Sequence, residues 1–164
     1  RANGVERGAW VGVPILVVLL FELAIAPLWN IAEVQPRAVD AWLAEQQGDW
    51  AIVEFPLSFA EKGKNMYYSL THSKRWVSGQ ATFPPPEYVE NRPLLDSFPS
   101  QASLDLLCQW DVRYVLVDRF RGQDVGLEEE IEQQDGLRLV AQFDGTNKYV
   151  ERVDVYEVVT CGGE

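Results

Sequence analysis

The order of apolar and polar positions divides the chain into an apolar N-terminal stretch and a longer region of short alternating patterns. Residues 10–29, WVGVPILVVLLFELAIAPLW, contain Glu22 as their only charged residue. A helix of this length rises roughly 30 Å, which is the thickness of a bilayer's hydrocarbon core. Trp10 and Trp29 stand at its two ends, where indole rings favour the water–lipid interface. The pattern therefore predicts a transmembrane helix.

The flanking charges predict the orientation of this helix. Arg1 and Arg7 precede it, whereas the residues just after it are neutral or acidic. Because positive residues stay on the cytoplasmic side, residues 1–9 are expected to form a cytoplasmic flank. Residues 10–29 then form the transmembrane helix, and residues 30–164 form an extracytoplasmic domain in a cell membrane.

Two residues inside the stretch bear on its surroundings. A carboxyl group such as that of Glu22 is costly in a bilayer and usually faces other helices or a wet cavity. Pro14 frees a backbone carbonyl, which is better tolerated inside a bundle. Both favour a helix packed among other transmembrane helices, unless Glu22 lies close enough to the interface to be hydrated. A cleaved signal peptide, with a small-residue site at residues 24–26, and a buried core helix are the alternatives.

After residue 30 the pattern alternates between helical and extended periods, which predicts an α/β fold: a small mixed sheet with helices packed on it. Helices are predicted from Pro36 to just before Gly48, at residues 104–109 with Ser100 or Ser103 as the cap, and at residues 127–134. Strands are predicted at residues 50–55, 113–118, 137–143 and 153–159. The last two flank a polar turn and are expected to form a hairpin.

The segment between residues 67 and 88 reads as a loop and contains the best candidates for binding. Its aromatic rings offer flat apolar faces with polar rims, which suit sugar rings, and arginine can contact a phosphate. The candidate binding residues are Tyr67, Tyr68, His72, Arg75, Trp76 and Tyr88. His72 would also serve as a base if Asp96 or Glu87 oriented it. The alternative is that these aromatics only seal the core beneath a loop stiffened by three prolines.

Composition and motifs exclude several classes of function. The net charge of −11, from 14 basic and 25 acidic residues, argues against a nucleic-acid partner. The chain lacks a phosphate-binding glycine loop, a nucleophile elbow and an HExxH motif, so no catalytic residue, metal or cofactor is predicted. The acidic run at residues 128–130 is expected to be a solvated helix face. Apolar neighbours make Cys108 a predicted buried free thiol, and a bridge to Cys161 outside the cytoplasm is the alternative.

Several of these features together resemble one family of membrane proteins. They are the last membrane helix, the helix PRAVDAWLAEQQGDW, the strand that ends in Glu-Phe-Pro, the Tyr-Tyr-Ser…His group and the run FPSQASLDLLCQWDVRYVLVD. This order resembles the C-terminal extracytoplasmic domain of bacterial multi-pass proteins related to the GT-C glycosyltransferases, which use lipid-linked sugars. The resemblance covers most of residues 10–118. It departs from the family at Ser78, where asparagine is expected, and at Asp111, where glycine is expected.

The resemblance implies a non-catalytic role for this part of the protein. In GT-C enzymes the catalytic carboxylates lie in an outer loop near the first membrane helices, so none is carried over to this chain. The only methionine is Met66, and we therefore expect the chain to be the C-terminal part of a longer protein. The expected function is an outer domain that helps bind an acceptor or lipid-phosphate sugar. The alternatives are a single-pass anchored binding or scaffold domain without enzymatic activity, and a small hydrolase that uses His72.

Overall fold

The computed structural model describes residues 12–22, 35–57, 62–77, 84–121, 126–145 and 149–162. The chain divides into two compact units, Arg1–Glu33 and Val34–Glu164. In the first unit, residues 12–22 form helix α1, and its large apolar side chains from Val13 to Phe21 are each at least 50% exposed. None of the helices within the described ranges is both long and apolar enough to cross a bilayer. Trp10, Trp29 and the rest of the predicted span lie outside the described residues.

The second unit contains a five-stranded mixed sheet, so the predicted α/β class is confirmed. Its strands are β1 (Ala51–Phe55), β2 (Arg75–Trp76), β3 (Val112–Phe120), β4 (Leu137–Asp144) and β5 (Val150–Val158). They lie in the order β2-β1-β3-β5-β4. β1 runs parallel to β2 and β3, whereas β5 runs antiparallel to both β3 and β4. The predicted strands and the C-terminal hairpin therefore all form.

The helices of this unit are α2 (Ala38–Glu45), α3 (Lys62–His72), α4 (Pro86–Asp96), α5 (Gln101–Gln109) and α6 (Leu127–Glu132). α2 packs on one face of the sheet, where Val39 and Leu43 contact Ile52 and Leu116 in one apolar cluster, and α3 packs beside α2. α4, α5 and α6 cover the other face through a second cluster. Because both faces are covered, β1 is buried at all five positions, as a central parallel strand requires.

Local sequence explains where several elements begin and end. Ser100 caps α5, and its side chain accepts a hydrogen bond from the backbone N–H of Ser103. Gly48 follows α2 with φ +113°, a conformation that L side chains rarely adopt. A Cβ at this position would also lie 2.7 Å from Nε1 of Trp50, so glycine is required for the turn into β1.

The structure corrects the prediction of a loop between residues 67 and 88. Residues from Tyr67 to His72 form the second half of α3, and Pro86 begins α4. Proline fits at Pro86 because the first turn of a helix needs no N–H donor there. The triple proline therefore starts a helix instead of stiffening a loop.

The prediction of a free thiol at Cys108 was wrong, because Cys108 and Cys161 form a disulfide across 53 residues. Thr160–Gly162 form a short 3-10 helix beside α5, which brings the tail cysteine to Cys108. The acidic side chains of residues 128–130 are exposed, as predicted. In the hairpin the register shifts between Leu139 and Ala141, so Val140 is an extra residue in β4.

Candidate functional site

Three of the six predicted binding residues come together in one surface groove. Arg75 and Trp76 belong to β2, Tyr88 lies in the first turns of α4, and all three line a groove of about 640 Å³. Both aromatic rings are half-buried. Tyr88 packs against the apolar cluster on the α4–α5 face of the sheet, and Trp76 packs against the cluster on the α2 face. The groove is thus lined by side chains whose inner edges are fixed by packing and whose outer edges remain accessible.

The groove also contains residues that the sequence did not single out for binding. Trp110 follows α5, and its Nε1 donates a hydrogen bond of 3.0 Å to Oε1 of Glu87. Both residues line the groove. The bond orients the indole of Trp110 and holds one carboxylate at the groove wall. Three aromatic side chains and a carboxylate therefore share one concave surface, which is the composition of many small-molecule sites.

Arg75 places a positive charge at the rim of the groove. Its Nη2 lies 2.7 Å from Oδ2 of Asp111, and its Nε lies 3.4 Å from a carboxylate oxygen of Asp49. The Arg75 side chain is 54% exposed, so these ion pairs are solvated and weak. An anionic group that reached the rim could therefore replace one of them at small cost.

Asp111 has a backbone conformation that glycine adopts most readily. It follows Trp110, the C-cap of α5, with φ +56°, in the left-handed region that often ends a helix. Aspartate is among the few other residues that tolerate this region. Aspartate therefore allows the helix to end here and places a carboxylate beside Arg75.

Trp76 carries an unusual donor at the groove wall. Its Nε1 is buried and has no hydrogen-bond partner within the described ranges of the chain. Buried donors are nearly always paired, so such a group needs a reason. The indole ring of Trp76 itself packs against the apolar cluster on the α2 face of the sheet.

Tyr68 and His72 lie away from the groove, in a buried charged network. The guanidinium of Arg37 is hydrogen-bonded to the carboxylates of Asp40 and Glu54, and all three residues are at most 7% exposed. The guanidinium carbon of Arg37 lies 4.5 Å from the centre of the Tyr68 ring, in a cation–π contact. Burial alone would lower the pKa of Arg37, but the attraction of Glu54 and the hydrogen bonds to both carboxylates raise it above its usual value.

His72 is poorly placed to act as a base. It is only 5% exposed, and its Nδ1 accepts a hydrogen bond of 3.0 Å from the backbone N–H of Lys74. Burial lowers the pKa of His72, against the attraction of Asp40. The expected orienting carboxylates are engaged elsewhere, Glu87 with Trp110 and Asp96 with Arg92. The imidazole is thus a neutral, hydrogen-bonded part of the core.

The remaining candidates are placed separately. Tyr67 is 58% exposed on α3, outside the groove, and Glu22 is exposed at the end of α1. Lys74 donates to the backbone carbonyls of Gln46 and Gly48, so it stabilises the turn after α2. No cluster of His, Cys, Asp and Glu suited to a metal ion occurs in the part of the chain that the structure describes.

Residues 109–111 reach the groove through long-range contacts. They lie more than 30 positions along the chain from β2, and the parallel pairing of β1 with both β2 and β3 brings the starts of β2 and β3 together. The sequence did contain a signal for their position: the predicted strand follows the predicted helix almost directly, so the residues between them must lie at the start of that strand.

Comparison of the chain with protein-family models, curated proteins and solved structures finds no significant match.

Proposed function

We propose that this chain is the non-catalytic outer domain, with the last membrane helix, of a membrane protein related to the GT-C glycosyltransferases. In this proposal the groove binds a saccharide or lipid-linked sugar on the extracytoplasmic side. The observation that carries the proposal is the groove itself, in which Trp76, Tyr88 and Trp110 lie with Glu87 and Arg75.

The groove suits a saccharide because it combines the two kinds of contact that sugars make. The apolar faces of sugar rings pack on aromatic side chains, and their hydroxyl groups need acceptors such as the Glu87 carboxylate. Arg75, at the rim, would contact the phosphate of a lipid-linked sugar through its planar fork. The buried Nε1 of Trp76 is a further donor that a ligand oxygen could satisfy if the ring shifted.

The disulfide supports the extracytoplasmic location. Bridges of this kind persist in oxidising compartments and are rare in the cytoplasm. The bridge joins Cys108 to Cys161, both of them within the region that the sequence predicts to be outside. The disulfide and the charge bias around residues 10–29 are independent observations, and both favour the same side of the membrane.

The exposed apolar surface of α1 supports attachment to a bilayer. Its large apolar side chains, eight from Val13 to Phe21, are each at least 50% exposed, and they are distributed around the helix. A helix that is apolar all round needs a lipid or protein environment. Extraction of membranes with alkaline carbonate would test this: the full chain is expected to stay with the lipid, and its release would refute membrane insertion.

The binding part of the proposal is tested by fluorescence. The full chain would be kept in a polyoxyethylene detergent, which carries neither sugar nor charge, and titrated with neutral oligosaccharides and with sugar 1-phosphates. A saturable change in tryptophan emission is expected in the millimolar range or below. It should be lost in Trp110→Phe and kept in Trp42→Phe, whose indole packs on the opposite face of the sheet. No change for any saccharide would overturn the proposal.

The role of Arg75 has its own matched control. Arg75→Gln is expected to weaken binding of the sugar 1-phosphates but not of the neutral sugars. Arg113→Gln, which removes a similarly exposed arginine from β3 outside the groove, should change neither. Equal weakening for both ligand classes would show that Arg75 acts on the fold of the groove and not on phosphate.

Two experiments test the relation to a transferase. The isolated chain is expected to transfer no sugar, and measurable transfer would refute the non-catalytic role. The DNA upstream of the codon for Arg1 should encode further hydrophobic helices and an acidic first outer loop. A start codon just before Arg1 would instead favour the alternative, a single-pass anchored binding or scaffold domain.

A further inference from the structure

A second cavity lies at the carboxyl ends of the parallel strands. It has a volume of about 420 Å³, and its lining includes Phe55 at the end of β1 and Phe120 at the end of β3. The groove described above is instead lined by residues at the starts of β2 and β3, such as Arg75 and Asp111. The two concave sites therefore use different ends of the strands.

The topology of the sheet explains why a cavity forms here. The chain leaves β1 through α3 on one face and reaches β2, and it then returns through α4 and α5 on the other face to β3. The direction of winding therefore reverses at β1, which lies between β2 and β3. In open α/β sheets the crevice at such a reversal, outside the carboxyl ends of the strands, is where ligands bind.

The walls of the cavity are mainly apolar and aromatic. Phe55 and Phe98 are stacked with their ring centres 4.3 Å apart, and Leu57 and Leu95 are buried beside them. Leu127 of α6 also lines the cavity. These walls fit a flat apolar group, and a volume of about 420 Å³ lies within the usual range for small-ligand sites.

The charged residues that line the cavity are all acidic. Of the ten described residues that line it, Asp96, Asp118 and Glu130 carry carboxylates, and none is basic. Arg92 approaches from α4 and pairs with Asp96 at 2.8 Å, so it offsets one of the three charges. Carboxylates are therefore the charged groups among the described residues that line the cavity. An anion would be repelled, whereas a cation would be attracted by the carboxylates and by the faces of the aromatic rings.

From this combination of apolar walls and negative charge, we propose that the cavity binds a small organic cation with a flat apolar body, such as an arylalkyl amine. The aromatic group lies between the phenylalanine and leucine side chains. The ammonium group lies toward the exposed carboxylate of Glu130. This site is independent of the saccharide groove, and neither proposal depends on the other.

The test uses three probes that differ mainly in charge: 2-phenylethylammonium, 2-phenylethanol and 3-phenylpropanoate. Each is titrated into the ¹⁵N-labelled full chain in a polyoxyethylene detergent, and the backbone amide shifts of Leu57, Phe120 and Leu127 are followed. The ammonium compound is expected to shift these signals saturably and to bind most tightly, the alcohol more weakly and the carboxylate least. Equal affinities, a preference for the carboxylate, or no saturable shift at these amides would overturn the proposal.

Variants on α6 separate the charge from the shape of the cavity. Glu130→Gln removes one exposed carboxylate and should weaken the ammonium probe about fivefold, as expected for one charge about 4 Å away in a largely aqueous setting. Binding of the alcohol should not change. Glu129→Gln removes an equally exposed charge that does not line the cavity, and it should leave all three affinities within about twofold. Equal effects of the two variants on binding of the ammonium probe would overturn the proposal, because the overall charge of the protein and not the cavity would then determine the affinity.

Discussion

Removal of the disulfide gives the prediction whose size follows most directly from the structure. Cys108 and Cys161 close a loop of 53 residues, which includes β3, α6 and both strands of the hairpin. In the chain-entropy account a loop of this length restricts the unfolded chain by about 14 cal/mol/K, or about 4 kcal/mol at 25 °C. Cys161 is exposed and Cys108 only half-buried, so replacement by serine should cost little packing.

The double variant Cys108→Ser/Cys161→Ser is therefore expected to lose about 4 kcal/mol of unfolding free energy. This is a large share of the roughly 5–15 kcal/mol that stabilises an ordinary domain. The assay is urea unfolding of the full chain in detergent, followed by tryptophan fluorescence, with free energies from linear extrapolation. Wild type treated with reductant is the matched control and should unfold like the double variant.

Two results would refute this reasoning. The first is a double variant within about 1 kcal/mol of the oxidised wild type, since the loop-closure argument predicts several times that difference. The second is a thiol assay that finds two free thiols in the denatured, unreduced protein. That result would show that the disulfide does not form, and the proposed extracytoplasmic location would then lose the support of the disulfide.

Three further predictions concern buried or strained groups. Burial lowers the pKa of His72, so the unfolded state binds the proton more readily and stability should fall as pH drops below about 6.5. His72 is the only histidine, so His72→Gln should flatten the stability profile between about pH 5.5 and 7.5 in urea unfolding; an unchanged slope would contradict this. Arg37→Met leaves the carboxylates of Asp40 and Glu54 buried without their cation and should cost about 3–5 kcal/mol by the same assay, whereas a loss below 1 kcal/mol would contradict the burial of the network. Asp111→Gly should be about 1 kcal/mol more stable than Asp111→Ala, because both remove the carboxylate and only alanine resists φ +56°; equal stabilities would argue against the left-handed conformation.

The longer strands of the sheet could be predicted because each has a recognisable pattern in its own local sequence. The segment at residues 113–118 is apolar on both faces, and the segments at residues 137–143 and 153–159 alternate around a polar turn. These patterns depend only on the period of the backbone and on burial, which a single sequence contains. Ser100 or Ser103 was predicted as the cap of α5 for the same reason, since a capping hydrogen bond is local, and the structure has Ser100 in that role.

The helices α3 and α4 were missed because their sequences contradict the usual helix signals. α3 has Met66, Tyr67 and Leu70 exposed, so its apolar positions do not mark a buried face. α4 begins at the last of three consecutive prolines and contains Pro93 in its interior. Here tertiary packing of Leu95 outweighs the poor local preference, and no local pattern reports on packing.

The groove was predicted in part, because six of the nine described residues that line it come from one stretch of sequence. Arg75, Trp76 and Tyr88 were chosen for their chemistry, and they line one surface. Tyr68 and His72 were chosen for the same reason but point into a buried network with Arg37, which only the packing of α3 against α2 determines. The disulfide likewise depends on the return of the tail to α5, 53 residues from its partner.

The extra residue in β4 has a consequence for how copies of this protein meet. β4 is the longer of the two outer strands, since β2 at the other edge has only two residues. A straight outer strand with Leu139 and Val140 exposed would be a template for a neighbouring sheet. The bulge at Val140 breaks the regular row of donors and acceptors, and the charged side chains of Arg138 and Asp144 flank it. Crowded copies of this protein can therefore stay separate without a partner that covers this strand.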